Sequence, residues 1–125
     1  MKQYATLKLE DLNQREELDY INSIWYGIMT MDTVLLDRIL DDTIDYEDIG
    51  KEKFIEKLSD QFYLHKDLGD TSLELDLNYC NGCNNNQPVC TFIGNNSGRH
   101  FSLYFDILES TIKDIYHCNW YCVNM

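Results

Sequence analysis

Two stretches near the end of the chain alternate strictly between apolar and polar residues, and this alternation constrains the fold more than any other feature. Leu73, Leu75, Leu77 and Tyr79 are interleaved with Ser72, Glu74, Asp76 and Asn78. Phe101, Leu103, Phe105 and Ile107 are interleaved with His100, Ser102, Tyr104 and Asp106. A period of two puts each apolar set on one face of a pleated strand. Between them, 89–93 reads as a further strand, and a fourth follows a tight turn at 109–110. Residues 81–88 (NGCNNNQP) and 95–98 (NNSG) are rich in Asn and Gly, which tolerate the backbone conformations of turns. The segment 71–121 is therefore expected to form an antiparallel meander of four strands. With those loops Phe92 faces Phe101, Phe105 faces Asp114, Asp106 pairs with Lys113 and Ile107 with Ile112, and Ser102 stands opposite His117.

The first half switches to helical spacing. Leu18, Ile21, Trp25 and Ile28 recur on one stripe, widened by Ile24 and Met29, and predict a helix over 13–30. Asn13 and Glu16 have the spacing of a capping box at its start. Asp32 is placed to cap a second helix that buries Leu35, Leu36, Ile39 and Leu40. The joint is short enough to make the two an antiparallel pair. The acidic run 41–48 imitates the start of a calcium loop at Asp41, Thr43 and Asp45, but Tyr46 stands where that loop needs glycine. It is read instead as a short strand with Ile44 and Tyr46 inward. A third helix, 51–65, shares Phe54, Leu58 and Phe62 on one face, with Ile55 beside them. His65 closes it, meeting the helix dipole, and Gly69-Asp70 breaks toward the meander.

The chain has 125 residues, a length that suits a single α+β domain spanning 1–125 with one core. With 44% hydrophobic residues, disorder is not a serious option. The 22 acidic and 10 basic residues give a net charge of -12, which repels phosphate backbones and anionic lipid. Neither nucleic acid nor a membrane is expected as a partner. Residues 1–10 lack a basic segment followed by an apolar one, and the five cysteines are an odd number, so a reduced, cytoplasmic chain is expected.

This order of elements resembles the NTF2-like superfamily, the cystatin-like α+β group that includes SnoaL-type and ketosteroid-isomerase-like domains. The resemblance rests on element order, length and the aromatic-rich first helix. It implies three N-terminal helices packed on a curved four- to five-stranded antiparallel sheet, with a conical pocket between. The cysteine- and asparagine-rich segment 80–97 is not part of that pattern and marks a cysteine-containing subgroup.

Three kinds of chemistry are available to these residues. Trp25, Tyr46, Phe54, Phe92, Phe101, Phe105, Tyr116 and Trp120 are numerous enough to line a pocket for a small apolar ligand, or equally to fill a plain core. Asp114 is the carboxylate that the expected register turns inward. In enzymes of the resembled superfamily, pocket Asp and Tyr residues move protons beside a carbonyl, so a proton-transfer isomerase or lyase is the alternative. His100, Tyr104 and His117, with Ser102, form a polar group that could do acid–base work or simply be the solvated outer face of the sheet. Cys80-Asn81-Gly82-Cys83 followed by Cys90 offers three thiolates, and a zinc-stabilised interaction module is the third reading. No cofactor is expected if those thiols are simply reduced, and zinc is the metal they would take otherwise. Val89, Ile93, Tyr104 and Ile115 are expected on the outer face, where they favour a homodimer through the sheet.

Overall fold

The computed structural model describes residues 4–7, 20–79, 88–109 and 111–117. In chain order they form β1 (Tyr4–Leu7), α1 (Tyr20–Met29), α2 (Thr33–Ile39), a 3-10 turn (Tyr46–Asp48), α3 (Lys51–Asp67), β2 (Leu73–Tyr79), β3 (Pro88–Gly94), β4 (His100–Leu108) and β5 (Thr111–His117). The fold class is α+β. The strands make one antiparallel sheet in the order β1-β2-β3-β4-β5, so every neighbour in sequence is a neighbour in space.

The helices form for the reasons their sequences state. The Asp32 carboxylate accepts a hydrogen bond from the Leu35 amide at 3.0 Å, capping α2 as its spacing requires. α1 and α2 approach closely at Gly27, where an added Cβ would stand 2.8 Å from the Leu36 side chain. Ile24, Ile28 and Met29 of α1, Leu36 of α2, and Phe54, Leu58 and Phe62 of α3 are all buried in one cluster. That cluster also contains Leu73, Leu75, Cys90, Phe92, Phe101, Leu103 and Phe105. The helices therefore cover the face of the sheet carried by the alternating apolar residues. Each fully buried side chain of this size contributes about 1.5–3 kcal/mol through removal from water.

Two expectations are corrected. Residues 41–48 do not form a strand. The chain turns there, and Glu47 and Asp48 take positive φ values of 54° and 60°. Tyr46 is nonetheless fully buried, stacked on Phe54 at 5.2 Å, and its hydroxyl accepts from the Asp41 amide at 3.1 Å. Burial of one ring, rather than strand pairing, anchors the acidic segment.

The second correction concerns register. β4 and β5 pair Ile107 with Ile112 as expected, but a bulge follows between Asp106 and Ile107. Lys113 is the extra residue, and beyond it Asp106 faces Asp114, Phe105 faces Ile115, Tyr104 faces Tyr116 and Leu103 faces His117. The physical reason lies in β5 itself. Ile112 and Ile115 are three residues apart, and a regular strand would send them to opposite faces. One inserted residue turns both inward, and both are 0% exposed. Asp114 and Tyr116 thereby leave the inner face and His117 joins it. Ile115 is removed from the expected outer dimer patch, and Val89 and Tyr104 of that patch are buried at 3% and 6% exposure.

Candidate functional site

α3 ends at the corner where the chain turns into β2. The amides of Leu68 and Asp70 donate back to the His65 carbonyl, at 3.1 and 2.9 Å. This reversal brings the Asp70 carboxylate to 2.7 Å from His65 Nδ1, with both side chains fully buried. The β3–β4 loop closes on the same carboxylate. Asp70 Oδ1 accepts from the Asn96 amide at 2.8 Å and the Ser97 amide at 2.7 Å, while Oδ2 accepts from the Ser97 hydroxyl at 2.7 Å. Gly94 makes room for it, since an added Cβ there would fall onto the carboxylate. Burial would raise the Asp70 carboxyl, but the Ser97, His65 and Asn96 hydrogen bonds outweigh it and hold the group well below the usual carboxylate range.

The far nitrogen of the ring, His65 Nε2, is buried and has no hydrogen-bond partner. The other such side-chain atom among the described residues is Trp25 Nε1. Trp25 lies edge-on to Phe105 at 6.1 Å. His65 packs against Phe101, ring centres 5.8 Å apart, and Phe101 stacks on Phe92 at 5.5 Å.

A second imidazole also packs near Phe101. His117 lies 6.3 Å from that ring, and its Nδ1 is 3.0 Å from Glu47 Oε2. The same oxygen accepts the His117 amide at 2.7 Å, and Oε1 accepts from Lys57 Nζ at 2.9 Å. Burial opposes the charge on Glu47, and the His117 and Lys57 hydrogen bonds outweigh it, lowering its carboxyl. Two imidazoles, each fixed at Nδ1 by a carboxylate, thus lie near one aromatic ring.

The expected site residues are only partly brought together. Tyr46, Phe54, Phe92 and Phe105 are fully buried on the inner side, with Phe101 at 7% exposure and Trp25 partly buried. Tyr116 instead stacks on Tyr104 on the other face at 4.8 Å, and its hydroxyl is pushed up to about 12 by burial. Asp114 does not face Phe105. Its Oδ1 accepts the amides of Glu47 at 3.0 Å and Ile115 at 2.8 Å, and burial raises its carboxyl. Hence its main service is to hold the 3-10 turn against β5. The polar group of His100, Ser102, Tyr104 and His117 is divided. His100 is exposed, the Ser102 hydroxyl lies 2.8 Å from that of Thr91, and His117 faces inward. Cys90 is fully buried in the core and burial pushes its thiol well up, the Trp25 side chain opposing in part. Trp120, Cys80 and Cys83 lie outside the described residues, as do Cys118 and Cys122.

Asp70 and Glu47 were not among the expected site residues, and His65 was read only as a helix end. A signal for the first corner exists. His65 follows Phe62 by three residues, which puts it on the buried stripe, and a buried imidazole demands a partner such as Asp70 beyond the Gly69 break.

Among the described residues, no group of three or more His, Cys, Asp or Glu side chains is placed to hold a metal ion. Nor is any helix among them long and apolar enough to cross a membrane. Two shallow cavities of about 290 and 500 Å³ lie on the outer side of α2 and α3 and share Asp37 and Glu52. Neither is lined by His65 or Trp25. Comparisons with family models, curated proteins and solved structures find no match to this chain.

Proposed function

We propose that this chain is an NTF2-like domain that binds a small, largely apolar molecule between its helices and the inner face of a curved sheet. Element order supports the family reading, with a helix pair and a third helix preceding the four-strand meander. The observation that carries the binding reading is His65 Nε2, a polar atom without solvent or partner in a ring whose other nitrogen is tied to Asp70. A buried group left unpaired costs about 1–3 kcal/mol, and a bound molecule with one polar group would remove that cost. Phe101 supplies apolar surface beside it, with Phe92 stacked on that ring. Native mass spectrometry of protein purified without additives is expected to show a retained small molecule, or else saturable thermal stabilisation by apolar alcohols and phenols. Absence of both counts against the reading.

A second reading uses the same corner for proton transfer. An imidazole oriented by a carboxylate at one nitrogen and open at the other has the arrangement of a general base. In that case the role falls to His65 rather than Asp114. Exchange of solvent deuterium into the position beside the carbonyl of a bound ketone, abolished in His65→Gln, is the expected result.

A zinc-stabilised module would draw on Cys80, Cys83 and Cys90. Of these, Cys90 is fully buried in the core beneath the helices. Stoichiometric zinc lost on Cys83→Ser would reinstate that reading. For assembly we retain a homodimer through the sheet, now resting on the partly exposed Ile93 and Tyr116. A monomer by light scattering at high concentration counts against it.

A further inference from the structure

We propose that Asp70 sets the ligand preference of this site: it fixes His65 so that Nε2 accepts a hydrogen bond, and the site therefore takes an uncharged apolar molecule bearing a hydroxyl donor. This inference rests on the binding reading above and deepens it.

A carboxylate has no hydrogen to give, so the 2.7 Å contact between Asp70 Oδ2 and His65 Nδ1 requires the hydrogen on Nδ1. The uncharged ring carries one N–H, so Nε2 is left with a lone pair. A hydroxyl satisfies that lone pair. An ether or ester oxygen meets it with a second lone pair and is rejected, as an unpaired buried acceptor.

The surroundings make Asp70 hard to replace in this role. Its Oδ1 accepts two backbone amides, Asn96 and Ser97, and a backbone amide cannot reverse its polarity. In Asp70→Asn the side-chain carbonyl must therefore occupy the Oδ1 position, and the new NH₂ takes the place of Oδ2. There it donates to Nδ1 of His65 and to the Ser97 hydroxyl, which can rotate to accept. His65 must then move its hydrogen to Nε2. A single isosteric change converts the acceptor into a donor and inverts the preference, from hydroxyl to ether. Asp70 is a positioning residue, acting on the ligand only through His65.

The probes are para-propylphenol and its methyl ether, which share an apolar body and differ in the one donor. Affinities are measured by calorimetry. Wild type is expected to prefer the phenol by about tenfold, the size of one buried hydrogen bond. Asp70→Asn is expected to reverse the order, and His65→Phe to bind both alike. Nitrogen-15 shifts of the His65 ring read the tautomer without any ligand, with a bare Nε2 in wild type and a bare Nδ1 in Asp70→Asn. Equal binding of phenol and ether by wild type, or a hydrogen found on Nε2, overturns this inference while leaving the binding reading intact. Wild type that binds neither probe overturns both. If Asp70→Asn does not fold, the wild-type tautomer and the wild-type preference decide the matter alone.

Discussion

The two histidine–carboxylate corners near Phe101 use the same contact to different ends. At His65 both side chains of the pair are 0% exposed, and the carboxylate's other partners are two backbone amides and the Ser97 hydroxyl. At His117 the carboxylate is shared with Lys57, half of whose side chain meets solvent, and Glu47 itself sits on a left-handed backbone. The first corner joins α3, the start of β2 and the β3–β4 loop through one carboxylate. The second joins a 3-10 turn to the last strand. Enclosure makes a carboxylate's hydrogen bonds costly to break, whereas water softens the loss of more open ones. The difference implies that the His65 corner holds one geometry and that the His117 corner can yield.

The sharpest way to break this comparison is to remove each carboxylate. Asp70→Ala leaves His65 and two backbone amides unpaired in the interior, and it is expected to lower stability by about 3–5 kcal/mol in urea titration. Glu47→Ala, at the more open corner, is expected to cost only about 1–2 kcal/mol. Equal losses would erase the distinction. Gly94→Ala attacks the first corner sterically. Its Cβ displaces the Asp70 carboxylate, and a loss of about 1–3 kcal/mol is expected with the hydrogen-bonding side chains intact.

Acid titration separates the corners by the size of the same effect. Asp70 is held below its ordinary value, so it contributes stability above about pH 4, the unfolded aspartate range, and that contribution fades as pH falls further. Asp70→Asn is expected to flatten this acid limb of the stability curve. Glu47 is shifted in the same direction but is more open, so Glu47→Gln should flatten it less. Lys57→Ala is the smallest perturbation, expected below about 1 kcal/mol because the pair is half in water.

How far the sequence reveals all this depends on the kind of interaction. The strict alternation of 73–79 and 101–107 discloses the inner face, and Asp32 discloses its cap, because both are local patterns with a fixed period. The bulge at Lys113 is not local. It becomes visible only when Ile112 and Ile115 are asked to share a core with Phe105, a demand made by the other strands. Glu47 gives no warning of its positive φ, since its residue type is not enriched there, whereas Asp48 is of a type that tolerates it. The burial of Tyr46 and the contacts of Glu47 to β5 hold the turn against that preference. Of the candidate site, the aromatics and His117 were legible by type, but the bulge changed the faces of Tyr116, Asp114 and His117. The His65–Asp70 pair was open to inference from the helical stripe. The β3–β4 loop that completes it was not, because Asn96 and Ser97 lie more than 25 residues from Asp70 in the chain.

The central claim is that an unpartnered nitrogen on the inner face marks where a molecule binds. Chemical-shift mapping during titration with para-propylphenol tests it most directly. The account predicts saturable shifts concentrated at His65, Phe101 and Phe92, with the surface cavity at Val34, Asp37 and Glu52 unmoved. Shifts confined to that outer cavity, or none that saturate, would contradict it.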